Sequence, residues 1–483
     1  MSDETLAESL PTIDSGGAEH GALLVEAASE GAIPAEPTPE PPPSVGPVAE
    51  VERVNSVDVV RGVALLGILA MNIVNFGWPG PAYSNPTKGA VFNKLDWGLW
   101  AFNHVVFDTK MMSLFSMLFG AGLVLMSDRA TTKGQSFGWF YYRRVLWLLA
   151  IGLCHAYLIW SGDILVLYAQ CGLLLYPLRK LPARSLLILG VCFQLLLIPL
   201  IETAIHGIRF MRATAARVEA MELAGETPRR WEAKLAELDK KAEKNMKPDE
   251  AKAKEEYDKE MTAYRGGYAG IVKHRAKNLF MEHTVGFLLG GWWFIGGRML
   301  IGMALMKWGV FAASRSRAFY IKLLAFCYGV GIPLVAYDTF FEVQHNFSGK
   351  AGFFGRGIYL NFYGGMFLAV GHAALVMLIY KAGLFQGLTR RLGAVGRMAL
   401  SNYLFDSIVC TTIFYGYGLA FFGTASRTYL YLVVLAIWTF QLLVSPIWLE
   451  VYKFGPAEWL WRSLTYGKPQ PMRRGPKVEA VAA

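Results

Sequence analysis

From residue 54 onward the chain alternates between long apolar runs and short polar breaks. Ten runs stand out, at roughly 57–77, 105–126, 144–160, 162–178, 185–206, 284–306, 318–340, 358–380, 398–418 and 428–449. Several approach the roughly 20 residues that a helix needs to cross the hydrocarbon core of a bilayer. Lipid offers no partner to an exposed peptide group, so such runs are expected to be helices. The pattern predicts an all-α fold, a polytopic integral membrane bundle of about ten transmembrane helices. The third and fourth runs are short and are divided at Ser161-Gly162-Asp163.

Two stretches break this rhythm. Residues 1–50 are rich in Pro, Glu, Ala and Gly, with neither a basic start nor an apolar core, and are read as a disordered acidic tail rather than a signal peptide. Residues 207–283 are densely charged. Thr227-Pro228 and Lys247-Pro248-Asp249-Glu250 resemble helix starts, and Gly266-Gly267 a helix end, so a charged helical hairpin outside the membrane is expected there. The organisation is then a tail (1–50), an N-terminal transmembrane half (54–206, spans one to five), the hairpin (207–283), a C-terminal half (284–450, spans six to ten) and a basic tail (451–483).

Charge adds an orientation. The net charge is +10, but ten of the 37 acidic residues lie in the first fifty, where there is no Lys or Arg. The remainder carries 47 basic against 27 acidic residues. The cations gather in alternate loops: Arg129, Lys133, Arg143 and Arg144; Arg179, Lys180 and Arg184; Lys307, Arg315, Arg317 and Lys322; Lys381, Arg390, Arg391 and Arg397; and a final group from Lys453 to Lys477. Loops of this kind face the cytoplasm. Both termini are therefore expected inside, which an even number of spans satisfies, and no nucleic-acid partner is implied. Charged residues make up 17% against 54% hydrophobic, which excludes an ordinary soluble domain or a disordered chain. The five cysteines all fall in apolar runs with no CxxC pair, so neither a redox motif nor a metal site is supported.

Ionisable groups inside spans are costly and mark candidate sites. In the first span Asp58, Arg61, Asn72 and Asn75 fall within an arc of about 100° on a helix, a polar stripe with an Asp58–Arg61 pair at its start. His104 and Asp108 are spaced i, i+4, as a general base and its orienting carboxylate would be, while Lys110 projects about 200° away on the same wheel. His155 in the third span stands near Asp163 in the following turn, close enough to share a cavity without assured contact. Arg298 lies mid-span and needs a carboxylate, carbonyls or an anion. Asn402 and Asp406 form another polar face. Gly286 and Gly290 suggest close helix packing, and Asn346-Phe347-Ser348 matches a glycosylation sequon. Walker A, GxGxxG, HExxH and GxSxG patterns are absent, which leaves ATP-driven transport, Rossmann-type nucleotide binding, zinc proteolysis and serine hydrolysis without support.

Several of these residues sit in longer motifs. Ser56-Val57-Asp58-Val59-Val60-Arg61-Gly62 continuing to Asn72, Lys110 with Leu114-Phe115-Ser116-Met117-Leu118-Phe119-Gly120-Ala121-Gly122, Gly162-Asp163-Ile164-Leu165 with Tyr168, Gly396 to Tyr403, and Phe454 to Arg462 stand in one order over residues 54–474. In this the chain resembles the YeiB-like bacterial membrane proteins, whose C-terminal half is the domain of unknown function 418. Its first half is also similar to transmembrane acyltransferases of the heparan-α-glucosaminide N-acetyltransferase type. The resemblance implies a multi-pass protein of the bacterial plasma (inner) membrane. It also carries Asn72 over as a site residue, because an Asn follows the Arg-Gly pair at the same spacing. The acyltransferase histidine falls on Tyr83, leaving His104 or His155 to take its place.

Two functions follow. In the first, an acyl group passes from a cytoplasmic donor, acetyl-CoA or another acyl-CoA, to a small-molecule or glycan acceptor outside. His155 or His104 is the base, Asp163 or Asp108 supports it, and Asn72 orients the carbonyl. Asp58, Arg61, Lys110, Arg298 and Asn402 belong to substrate or donor binding. In the second, the same residues line the path of a secondary transporter. A structural partner of envelope machinery is a third, plainer reading. No cofactor is demonstrated; membrane lipid is the expected surround, and a homodimer is compatible with the sequence.

Overall fold

A computed structural model describes residues 54–88, 93–246, 250–347 and 357–474, all within one compact unit. The acidic tail, Lys247-Pro248-Asp249, Ser348 of the sequon and Lys477 lie outside the described residues. The described chain is helical, and its one β-type pairing is an isolated bridge between Tyr452 and Arg473. This is an integral membrane protein. Among the described residues, seven helical segments are long and apolar enough to cross a bilayer: Asn55–Gly77, Lys94–Thr132, Gly138–Ile159, Tyr268–Lys307, Arg317–Gln344, Leu360–Ala382 and Arg427–Val451. Two of the ten expected runs form shorter apolar helices instead, Leu165–Leu175 and Ala399–Phe414, and the fifth lies at the start of the longer helix Ala183–Leu223.

Helix α1 (Asn55–Gly77) is the axis of the bundle. Its apolar residues run all round the helix, and 83% of its apolar window is buried. A short α2 (Pro81–Ser84) leads to α3 (Lys94–Val106), capped by Asn93 and Asp96 in a reciprocal box. The second expected run, 105–126, is not one helix. The chain leaves helical geometry at Phe107–Thr109, with Thr109 at φ +62°, and restarts as α4 (Lys110–Thr132). Next, α5 (Gly138–Cys154) ends in a π-helical turn, His155–Ile159, and the chain reverses before α6 (Leu165–Leu175). α7 (Ala183–Leu223) runs without interruption from the apolar run into the charged segment, followed by α8 (Arg230–Met246) and α9 (Glu250–Arg265). The return is α10 (Tyr268–Met281), a long π-helical stretch (Glu282–Gly296) and α11 (Gly297–Lys307). Gly286 and Gly290 lie in that wide stretch and meet no neighbouring helix, so they are not the packing pair their spacing suggests.

The closest helix crossings are made at other glycines. A methyl on Gly120 of α4 would strike the Met299 carbonyl of α11, and one on Gly302 of α11 would strike the Met117 carbonyl of α4. Without a hydrophobic force between helices in lipid, such backbone approach carries much of the association. The last elements are α12 (Arg317–Gln344), α13 (Gly357–Ala382), α14 (Gln386–Arg397), α15 (Ala399–Phe414), α16 (Arg427–Val451) and α17 (Pro456–Tyr466). α14 crosses the start of α1 in backbone contact, Gly62 against Leu392 and Gly396 against Asp58. α17 packs across α5. Little of α12 and α16 is buried, and Phe326, Phe340, Leu432 and Ile447 point outward, as lipid-facing helices require.

Candidate functional site

Between α1, α4, α5, α6, α15 and α17 lies a cavity of about 320 Å³. Its lining runs along α4 from Phe115 to Lys133, the residue that caps the helix, about 27 Å at 1.5 Å per residue. One end is basic: Arg61, Arg129, Lys133, Arg144, Arg397 and Arg462 line it, against two carboxylates, Asp58 and Glu458. The other end is apolar and aromatic, with Phe115, Leu118, Leu148, Leu165, Tyr168 and Tyr403.

Local structure explains the mouth. Arg61 Nη1 donates to Asp58 Oδ1 at 2.6 Å, the predicted pair one turn apart. The Arg144 guanidinium lies 3.6 Å over the Trp461 ring, and Trp461 Nε1 donates to the Arg144 carbonyl at 2.8 Å, which ties α17 to α5. Glu458 is half-buried at the N-terminus of α15, where it accepts the Leu400 amide at 2.6 Å, the Ser401 amide at 3.2 Å and the Ser401 hydroxyl at 2.5 Å. An anion there satisfies amides that have no partner inside the helix. Burial still pushes the Glu458 carboxyl above the usual range, with these hydrogen bonds working against it.

Beyond the apolar end stands a buried dyad. His155 Nδ1 is 2.6 Å from Asp163 Oδ2, and His155 is 1% exposed. Asp163 Oδ1 accepts the Val166 amide at 2.8 Å, so the same carboxylate holds the start of α6. The contact exists because the chain reverses at Ser161–Gly162; a helical wheel keeps the two residues apart. With Asp163 accepting the Nδ1 proton, Nε2 carries the lone pair, and it has no hydrogen-bond partner. The imidazole lies 5.0 Å from the Tyr403 ring, which forms the cavity wall. Asn72 is buried one turn beyond Ile68, the deepest α1 residue of the lining.

The charged segment covers the far side of this turn. The Tyr264 hydroxyl is 3.4 Å from Ser161 Oγ, and its ring stacks on Phe422 at 4.9 Å. Arg265 Nε donates to the Phe422 carbonyl at 2.9 Å, and the Gly80 amide donates to Glu260 at 3.2 Å. Arg275 of α10 donates to the Tyr157 and Ile159 carbonyls at 2.8 Å each, which secures the π turn that carries His155.

His104 and Asp108 do meet, Nδ1 to Oδ2 at 3.3 Å, but in a separate cluster. Nε2 of His104 faces Asp338 Oδ2 at 3.1 Å, and the Tyr83 hydroxyl donates to Asp108 at 2.5 Å. Lys110 does not project away. Its ammonium donates to the His104 carbonyl at 2.7 Å and to Asn361 Oδ1 at 2.6 Å, because the break at Phe107–Thr109 resets the helical phase. Arg298 is fully buried outside the cavity. It finds carbonyls and rings rather than a carboxylate: Phe294 and Phe362 accept its hydrogen bonds at 3.3 and 3.4 Å, and the Phe294 ring lies 3.4 Å beneath it. Asn402 and Asp406 bind α16, through Ser445 at 3.2 Å and Gln441 at 2.6 Å, and so join two helices.

Sequence reasoning missed the mouth as a site. By sequence alone Arg129, Lys133, Arg144, Arg397 and Arg462 are topological charges, and neither Glu458 and Tyr403 of the cavity nor Asp338 of the His104 cluster stands out. The signal lay in the motifs Gly396–Tyr403 and Phe454–Arg462, which contain four of them, Arg397, Tyr403, Glu458 and Arg462, all lining the cavity.

The profile described as "Protein of unknown function (DUF418)" matches residues 305–468. The uncharacterized protein YxaH of Bacillus subtilis (strain 168) is 30% identical over 447 residues, 90% of this chain and 100% of the relative. The uncharacterized protein YeiB of Escherichia coli (strain K12) is 31% identical over 422 residues, 86% of this chain and 97% of the relative. The chain belongs to the DUF418 family. A protein of Bacillus acidopullulyticus, described as an uncharacterized 39.9 kDa protein in the amylase 3' region, is 26% identical over 88% of this chain and 97% of its own length. No solved structure matches. The DUF418 match supplies the α14, α15 and α17 side of the cavity, including Arg397, Tyr403, Glu458 and Arg462.

Proposed function

We propose that this DUF418 protein is a membrane-embedded acyltransferase of the bacterial inner membrane, taking an acyl-CoA from the basic end of its cavity. One observation carries the reading: a single elongated cavity joins a mouth of six cations to a wall that abuts a buried His–Asp dyad. Phosphates belong at such a mouth, where guanidinium groups offer paired donors. The aromatic depth suits an uncharged arm ending in a thioester. His155 Nε2 takes the proton of an acceptor hydroxyl or amine as that group attacks the acyl carbonyl. The carbon–sulfur bond then breaks, and the thiolate leaves and is protonated. Asp163 holds the ring and stabilises its cation. Asn72 orients the carbonyl. The clustering of cations favours a cytoplasmic mouth with both termini inside, and the acceptor, a small molecule or glycan, approaches beneath the charged segment.

The test is calorimetric binding of acetyl-CoA to the detergent-purified protein. Loss of one arginine–phosphate contact is expected to weaken binding roughly tenfold or more in Arg61→Ala or Arg144→Ala. His155→Ala keeps binding and loses transfer. A folded, monodisperse protein that binds no acetyl-CoA overturns the reading. A secondary transporter is the alternative, and the His104 cluster outside the cavity favours it; solute-driven proton flux in proteoliposomes distinguishes the two.

A further inference from the structure

His104 stands in an unusual row. Both ring nitrogens face carboxylates, Nδ1 to Asp108 at 3.3 Å and Nε2 to Asp338 at 3.1 Å. A neutral imidazole has one N–H, so with both aspartates ionised one carboxylate would face a lone pair. Asp338 is 3% exposed, and half-exposed solvent screening is not available to it. Charge points the same way. Asp108 and Asp338 contribute two negative charges and Lys110, fully buried, one positive, so the group is neutral once it holds one further proton. An isolated charge buried in low dielectric is costly. The surrounding groups do not supply that cation: Tyr83 and Tyr431 face Asp108, Glu342 lies one turn beyond Asp338, and His372 on α13 spends Nε2 on the Val106 carbonyl at 3.0 Å. His345 lies beside Glu342 and is exposed. Trp100 stacks on the His104 ring at 5.2 Å and shields it.

We propose that His104, Asp108 and Asp338 form a proton-binding site: the three groups share one proton, retained through neutral pH, that ties α12 to the α3–α4 break. The shared proton belongs to the group rather than to one residue, sitting on the imidazole or on a carboxyl that then donates to it. α12 packs chiefly on α13, so the His104–Asp338 bond is its main polar tie to α3. The Tyr83 phenol, pushed well up by burial and by the Asp108 charge, stays protonated and extends the row by one donor. The site lies apart from the proposed donor cavity and stands whether or not an acyl-CoA binds there.

The experiment is histidine side-chain NMR on the full chain in detergent, with 15N-labelled histidine and His104→Gln to assign the signal among the eight histidines. The His104 signal is expected to stay constant from about pH 6 to pH 8.5, where a free histidine passes through its midpoint near 6.5. Asp338→Asn removes one carboxylate and is expected to bring that signal into titration inside the same window. Asp108→Asn serves as the second variant should Asp338→Asn fail to elute as a single folded species. A wild-type His104 that titrates near 6.5 overturns the proposal. So does a folded Asp338→Asn or Asp108→Asn protein whose signal stays as constant as the wild type's.

Discussion

Asp163 performs two tasks with two oxygens, and substitutions separate them. In Asp163→Asn the amide oxygen still accepts the Val166 N–H, so the start of α6 is kept. The amide nitrogen then faces His155 Nδ1 and donates to it, which moves the ring proton to Nε2. His155 Nε2 has then lost its lone pair. One charge-assisted hydrogen bond becomes a neutral one, a change of about 1 kcal/mol in stability. In Asp163→Ala both oxygens go. The orphaned Val166 amide costs about 1 kcal/mol. The buried Nδ1–H, left unpaired, costs a further 1–3 kcal/mol or so. The expected losses are therefore about 1 kcal/mol for Asn and about 2–4 kcal/mol for Ala. Thermal unfolding in detergent, followed by tryptophan fluorescence, measures the difference, and histidine NMR reads the tautomer. Both variants should lose acyl transfer, by up to about four orders of magnitude if the dyad behaves like the His–Asp pair of serine proteases. Equal stability of the two variants, or an unchanged His155 tautomer in Asp163→Asn, would refute the geometry on which the argument rests.

Other consequences are as direct. Gly302→Ala drives a methyl into the Met117 backbone and should cost about 1–3 kcal/mol, while Gly329→Ala, which meets nothing, should leave the unfolding midpoint nearly unchanged. Burial raises the Glu458 carboxyl, so the folded state holds its proton more tightly than the unfolded chain. Its stabilising contribution is full below the ordinary glutamate range and is lost as pH rises through the raised value; melting midpoints should fall with pH more steeply in the wild type than in Glu458→Gln. Arg144→Lys keeps the charge and loses the planar stack on Trp461. Its acetyl-CoA affinity should fall less than that of Arg144→Ala, and titrations at rising salt should show the shallower salt dependence in Arg144→Ala.

The cavity mouth shows why charge patterning alone misleads. Arg129, Lys133, Arg144 and Arg462 sit where the positive-inside rule puts cations, and each would satisfy that rule pointing anywhere at the membrane surface. Their convergence on one cavity depends on α17 folding back across α5, a contact made between residues some 317 positions apart in the chain. Glu458 is likewise an unremarkable surface acid in sequence, yet it closes the N-terminus of α15 from 57 and 58 residues away.

The sequence by itself determined that this is an all-helical membrane protein, because apolar runs of bilayer length have no other way to satisfy their peptide groups. It also determined the Asp58–Arg61 and His104–Asp108 pairs, since residues three or four apart on a helix are neighbours whatever surrounds them. Tertiary structure decided the rest. It joined His155 to Asp163 through a chain reversal, and Asp338 to His104 across 234 residues. It turned Lys110 inward through a three-residue break, and gave Arg298 aromatic rings instead of an acid. Helical periodicity carries phase only while the helix continues, and every one of these contacts begins where a helix stops or where a second one crosses it.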